Sequence, residues 1–185
     1  MEITLETIAQ ALSFVGLAFI VASYQQKKKS SLVLCQLFGC GVFGIHYFMM
    51  GAYTGALLNA IGMIRSLAFY KEHRSRKVGT IWTVALIVMY VASYILNFTV
   101  FGAPATAANL ILELLPTIGM SVLTISFNMT GTGIIRALGT GHSASWLIYN
   151  IVHRSIGGTL TEAMALISII IGILRYDIKK KEKAN

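Results

Sequence analysis

Apolar residues along this chain run in long blocks with almost no alternation, and polar residues gather in the short gaps between them. Blocks near 7–24, 32–50, 54–70, 79–101, 109–127, 137–152 and 158–176 are each about long enough to carry a helix across roughly 30 Å of hydrocarbon. The period-2 pattern of a barrel strand is missing, and a helix satisfies its own backbone groups in lipid, so the spacing predicts seven membrane helices and an all-α integral membrane fold. The sixth block is the least regular, interrupted by Gly139, Gly141 and His142. Gly39, Gly41 and Gly44 stand at comparable places in the second block, and such paired breaks point to a transport pathway or to close helix packing. Gly51-x-x-x-Gly55 reads as a further packing motif.

The blocks repeat. Shifted by 103 positions, the chain matches itself without a gap: Leu12 falls on Leu115, Gly16 on Gly119, Ser23 on Ser126, Ile45 on Ile148, Gly55 on Gly158 and Ala60 on Ala163. Polar residues inside apolar blocks coincide as well, Gln10 with Glu113 and Asn59 with Glu162. The expected organisation is a three-helix repeat over 1–70, a basic loop and linker helix over 71–106, a second three-helix repeat over 107–176 and a basic tail over 177–185. With an extra crossing between two odd-numbered triplets, the repeats run parallel, with their solute site where they meet.

Composition makes the lipid reading compulsory. The chain has 185 residues, 56% hydrophobic and 12% charged, more apolar surface than a soluble core of this size can hide. The net charge of +8 comes from Lys and Arg clustered at block ends with no nucleic-acid motif beside them, so no nucleic-acid partner is expected. Lys27 to Lys29, Lys71, Arg74, Arg76, Lys77, Arg136, Arg175, Lys179 to Lys181 and Lys183 fall on one side of the predicted membrane, and Arg154 on the other. Thirteen against one orients the N-terminus outward and the C-terminus toward the cytoplasm. Glu2 and Glu6 stand where a signal peptide carries positive charge, so the first block is expected to remain as a helix. Cys35 and Cys40 have no metal-ligand spacing and read as packing residues.

A few polar residues inside the blocks carry the candidate chemistry. Glu113 and Glu162 are the acids within the spans, and a carboxylate at that depth needs a partner, water or a proton. Each is a solute contact or proton carrier, or else an acid near the favourable end of its helix dipole. Arg65 is their natural counter-charge, or it snorkels toward Lys71. His46, Tyr47, Trp146, Tyr149 and Asn150 share one level of the second and sixth blocks, as a polar pocket wall or, for the aromatics, an interfacial belt.

A 3+1+3 parallel arrangement resembles the SWEET and PQ-loop transporters over the whole chain. In SWEET-like proteins a Trp and an Asn sixteen residues apart hold the sugar. At that spacing stand Phe43 with Asn59, and Trp146 with Glu162, so each half keeps one of the two. The Pro-Gln pair of PQ-loop proteins appears as Tyr24-Gln25 and Phe127-Asn128, and Pro116 is the proline inside a span. The stretches ELLPTIG at 113–119, SASWLIYNIVHRSIGGTLTE at 143–162 and GALLNAI at 55–61 resemble the YgjV-type family of bacterial inner-membrane proteins more closely. That resemblance implies the bacterial cytoplasmic membrane and supplies no substrate.

The function expected is small-solute transport by rocking of the two repeats about a single cavity. Its binding residues are Phe43, His46, Asn59, Arg65, Glu113, Trp146, Tyr149, Asn150 and Glu162. A non-transporting receptor or partner-binding subunit is the alternative. Acid–base catalysis by Glu162 with His46 or His142 ranks third, since no nucleophile motif accompanies it, and the chain is not expected to be an enzyme. No metal, nucleotide or covalent cofactor is implied. The partners expected are a small solute, the bilayer and further copies of the chain.

Overall fold

The computed structural model describes residues 5–70, 76–129 and 131–178. The loop basic residues Lys71 and Arg74, the tail lysines from Lys179 onward and Glu2 lie outside them. Seven α-helices follow in order: α1 (Leu5–Tyr24), α2 (Lys29–Met49), α3 (Tyr53–Phe69), α4 (Arg76–Thr99), α5 (Ala107–Phe127), α6 (Thr132–Val152) and α7 (Ile156–Gly172). A π-helical turn, Ile173–Ile178, extends α7. No strand occurs among the described residues.

Five of these helices, α1, α2, α4, α5 and α7 with its π turn, are long and apolar enough to cross a membrane. The exceptions are α3 and α6, and both departures have a physical reason. At 17 residues α3 spans only about 25 Å. Along α6 the polar residues Arg136, Ser143 and Asn150 are buried, so the helix is less apolar because of what it turns inward. Across the bundle the usual soluble pattern is inverted. Gln36, His46, Arg65, Arg136 and Asn150 are buried, whereas Phe14, Phe48, Val88, Ile118, Ile148 and Ile171 are exposed. An apolar coat over a polar interior is stable where the surrounding solvent is lipid.

The packing forms a ring. α1 packs on α2, α2 on α3, α3 on α5, α5 on α6, α6 on α7 and α7 on α1, while α4 lies outside against α3 and α5. Exchanging α1, α2 and α3 for α5, α6 and α7 maps the six ring contacts onto one another, but not those of α4. The turns agree at the level of single bonds. After α2, the N–H groups of Met50, Gly51 and Ala52 donate to the carbonyls of His46, Phe48 and Tyr47 at 3.0, 3.1 and 2.9 Å. After α6, His153, Arg154 and Ser155 donate to Tyr149, Ile151 and Asn150 at 3.0, 3.1 and 3.0 Å, every atom 103 residues later. The residue in the left-handed region is Gly51 (φ 71°) in the first turn and Arg154 (φ 53°) in the second. An L-residue bears a cost of about 1–2 kcal/mol there that glycine escapes. Gly51 thus serves the turn and is not half of a helical packing motif.

The predicted helix breaks do not occur. Both α2 and α6 run unbroken through their glycines. Gly39 admits Ile20, since a Cβ there would lie 2.7 Å from that side chain. Gly139 admits the ring of Tyr24, which would lie 3.1 Å from an added Cβ. Close packing is the role these two play.

Candidate functional site

At the centre of the ring lies a cavity of about 40 Å³, lined by all six ring helices and not by α4. On α2, Gln36, Cys40, Phe43 and Tyr47 recur every three or four residues and so share one face. His142, Ser143 and Trp146 of α6 stand opposite, with Asn59 and Arg65 from α3, Glu162 from α7, Tyr24 from α1, and Met120 and Leu123 from α5. A water takes about 30 Å³ of liquid, so in this conformation the cavity has room for one or two.

Arg65 follows neither path expected for it. It is 1% exposed, so it does not snorkel, and no ion pair joins it to a glutamate among the described residues. Its Nη2 donates to Gln36 Oε1 at 3.2 Å, its Nη1 to Met120 Sδ at 3.6 Å, and the guanidinium stands 4.8 Å from the ring centre of Phe127. Its Nε–H is buried without a hydrogen-bond partner. Inward-facing chain from Gln36 holds the cation deep, where a snorkelling lysine or arginine would reach for headgroups.

A second cavity of about 200 Å³ lies at the end of the bundle that carries the α2–α3 and α6–α7 turns. His46, Tyr47, Thr54, Asn97, Glu113, Tyr149, His153 and Ser155 line it. Glu113 pairs with His153, Oε1 to Nε2 3.3 Å, and Tyr149 stacks on the same imidazole with ring centres 4.1 Å apart. The Glu113 carboxylate holds His153, just beyond the end of α6, above the ordinary histidine pKa, against burial that works in the other direction. His46 is fully buried, its Nδ1 2.8 Å from the carbonyl of Ala9 and its Nε2 3.5 Å from Ser155 Oγ, which ties α2 to α1 and to the start of α7.

Tyr47 lines both cavities and forms the wall between them. Its hydroxyl donates to Asn150 Oδ1 at 2.9 Å, and Trp146 lies against Tyr47 and Tyr149 with ring centres 5.7 and 5.6 Å away. Asn150 is itself 103 residues beyond Tyr47.

The opposite end of the bundle is closed by two cations. Lys29 Nζ donates to the carbonyls of Phe127 (2.5 Å) and Met129 (3.2 Å) at the end of α5. Arg136 donates from Nε to Tyr24 O (3.0 Å) and from Nη2 to Gln26 O (2.6 Å) at the end of α1, and its Nη1 meets Asp177 at 3.0 Å. Tyr24 and Gln26 precede Phe127 and Met129 by 103, so the same two carbonyls are capped in each half, in both cases by a cation from the other half. A positive charge at a helix C-terminus is stabilised by the negative end of the helix dipole. Arg136 is fully buried and is thus a structural clamp, distinct from the flanking charges among which its sequence position puts it.

Of the nine residues expected to share one cavity, Phe43, Asn59, Arg65, Trp146 and Glu162 line the central one, while His46, Glu113 and Tyr149 line the other. Asn150 belongs to the wall. Tyr24, Gln36, Ser143 and His153 were not expected in the site. Gln36 is a lone polar residue inside an apolar block, and seven residues before Phe43 it falls on the same helix face; that signal was readable. Tyr24 and His153, at helix ends, look like interfacial residues until the turns fold them inward.

Among the described residues, the buried side-chain atoms without a hydrogen-bond partner collect at these places. Arg65 Nε, His142 Nδ1 and Trp146 Nε1 belong to residues lining the central cavity; Thr54 Oγ1, Asn97 Nδ2 and Glu113 Oε2 to residues lining the other; Asn150 Nδ2 to the wall. A buried polar atom left unpaired costs about 1–3 kcal/mol. Each such atom can take a water or another polar group.

No solved structure matches the chain. It is 28% identical over 138 residues to inner membrane protein YgjV of Escherichia coli (strain K12), an alignment that covers 73% of this chain and 66% of that relative. A family model described as bacterial inner membrane protein, Imp-YgjV, matches residues 7–180. An all-helical, multi-pass bundle with a lipid-facing apolar coat agrees with that description, and the chain belongs to the YgjV family of bacterial inner-membrane proteins.

Proposed function

We propose that the protein moves a small solute across the inner membrane by alternating access. The observation that carries this reading is the series of two polar cavities along the bundle, with unpartnered polar atoms in both, one aromatic wall between them and two cation clamps beyond. A binding subunit needs one open face, whereas a transporter needs a site on the axis that can be reached from either end. The central cavity has the second kind of placement, because every ring helix contributes to it.

The proposed moving parts are two SWEET-like triplets, α1–α3 and α5–α7, with α4 as linker. The ring order, the bond-for-bond turns and the Tyr47–Asn150 contact support a parallel relation with the axis through that contact. The thirteen-to-one division of basic residues supports an outside N-terminus and a cytoplasmic C-terminus. In that orientation the larger cavity faces the periplasm and the Lys29 and Arg136 clamps form the closed cytoplasmic gate. Rocking the triplets would part the clamps and close the Tyr47 layer.

Thermal unfolding of the purified protein across a solute panel tests the reading, because a ligand that binds the folded state alone raises apparent stability. A bound solute is expected to stabilise the wild type, with the size of the gain and its pH dependence changed in Glu162→Gln. The same gain in wild type and Glu162→Gln at every pH would remove Glu162 from the site. A protein stabilised by a partner protein and by no solute would favour a receptor.

A further inference from the structure

We propose that the central cavity binds a short organic anion through its carboxylate, with the Arg65 Nε–H and the Trp146 indole N–H as its donors. This names a substrate class for the transport reading above and rests on it. Both nitrogens are buried, both lack a partner, and both belong to residues lining the same cavity. Each is a donor only. Whatever satisfies them must bring acceptors.

Charge narrows the choice. A sugar hydroxyl can accept from both groups, but it leaves a buried guanidinium with only neutral neighbours: Gln36, Met120, the Tyr90 hydroxyl and the face of Phe127. An unpaired charge at membrane depth is expensive, and a carboxylate both accepts and neutralises. In this conformation the cavity of about 40 Å³ admits the carboxylate head and little more, so the shortest anions, of about two or three carbons, fit best and their tails must displace the lining.

Glu162 is the second charge in the cavity, and ionised it repels the ligand. The titratable groups facing it are Tyr24 from α1, Cys40 and Tyr47 from α2, Arg65 from α3 and His142 from α6, while α5 brings Met120 and Leu123. With Glu162 protonated the cavity keeps the positive charge of Arg65 and welcomes an anion. Affinity should therefore weaken as pH rises through the range in which Glu162 ionises, by at most about tenfold per pH unit for one linked proton.

Calorimetric titration of the full chain in nanodiscs with propionate tests this, with propionamide as the uncharged isostere and glycine and glucose as the zwitterionic and sugar controls. Propionate is expected to bind at least about tenfold more tightly than propionamide. Trp146→Phe, which keeps the ring and removes one N–H, should weaken propionate about tenfold at unchanged unfolding temperature. Glu162→Gln should still bind it, with affinity independent of pH between 6 and 8. Equal affinity for propionamide, glycine at least tenfold tighter than propionate, or no propionate heat at millimolar concentration overturns the proposal. Glucose binding that Trp146→Phe abolishes would overturn it and leave transport standing. A cavity that binds nothing and opens to one face alone would remove both.

Discussion

Tyr47→Phe isolates the wall between the cavities, because it deletes one oxygen from a buried ring and leaves the aromatic packing in place. That oxygen donates to Asn150 Oδ1 at 2.9 Å, and the amide nitrogen of Asn150 already lacks a partner. The variant leaves the whole buried Asn150 amide unpaired, which destabilises the closed wall by about 1–2 kcal/mol. If opening the wall re-exposes that amide to water, the open population rises roughly 5–30-fold. Cys40 lines the central cavity and is buried, so it serves as a native reporter once Cys35 is replaced by Ala. When opening and closing are fast relative to modification, the labelling rate of Cys40 by a small thiol reagent follows that population. The rate should climb by the same factor in Tyr47→Phe, with the unfolding temperature lowered only slightly. A rate within twofold of the parent would refute the view that this bond holds the cavities apart.

Three further outcomes follow from the geometry. Arg136→Met removes the bonds to Tyr24 O and Gln26 O and leaves Asp177 without its cation, so it should destabilise the fold by about 3–5 kcal/mol in mixed-micelle unfolding. Arg136→Lys, which cannot span both carbonyls, should fall between Arg136→Met and wild type. Because Glu113 raises the pKa of His153, their pair stabilises fully below the unfolded histidine value and loses that contribution as pH rises through the folded one. Unfolding temperature should therefore drop between pH 6 and 8.5 by more in the wild type than in His153→Gln, and parallel curves would remove the pair from the account. Gly51→Ala should cost about 1 kcal/mol in the same unfolding assay, since a Cβ must be held at φ 71°.

Much of the fold was legible because lipid simplifies the code. Seven apolar blocks became seven helices with ends displaced by a few residues. Phe43, Asn59, Trp146 and Glu162 all line the central cavity, but Glu113 lies in a different one, because helix position fixes depth and not the face a side chain presents. The partners of the charged residues were the least readable. Arg65 chose Gln36 over two glutamates, and Glu113 chose His153, which caps the C-terminal end of the neighbouring α6. The glycines misled for a related reason: Gly39 and Gly139 make room for Ile20 and Tyr24 of α1, neighbours that no local pattern reveals.

Alternating access is tested most directly by modifying Cys40 from each face of a sealed vesicle. A Cys35→Ala protein reconstituted in one orientation is exposed to a membrane-impermeant thiol reagent added outside or trapped inside. The account predicts labelling of Cys40 from both faces, with a solute that speeds one side slowing the other. Labelling from a single face under every condition would contradict it.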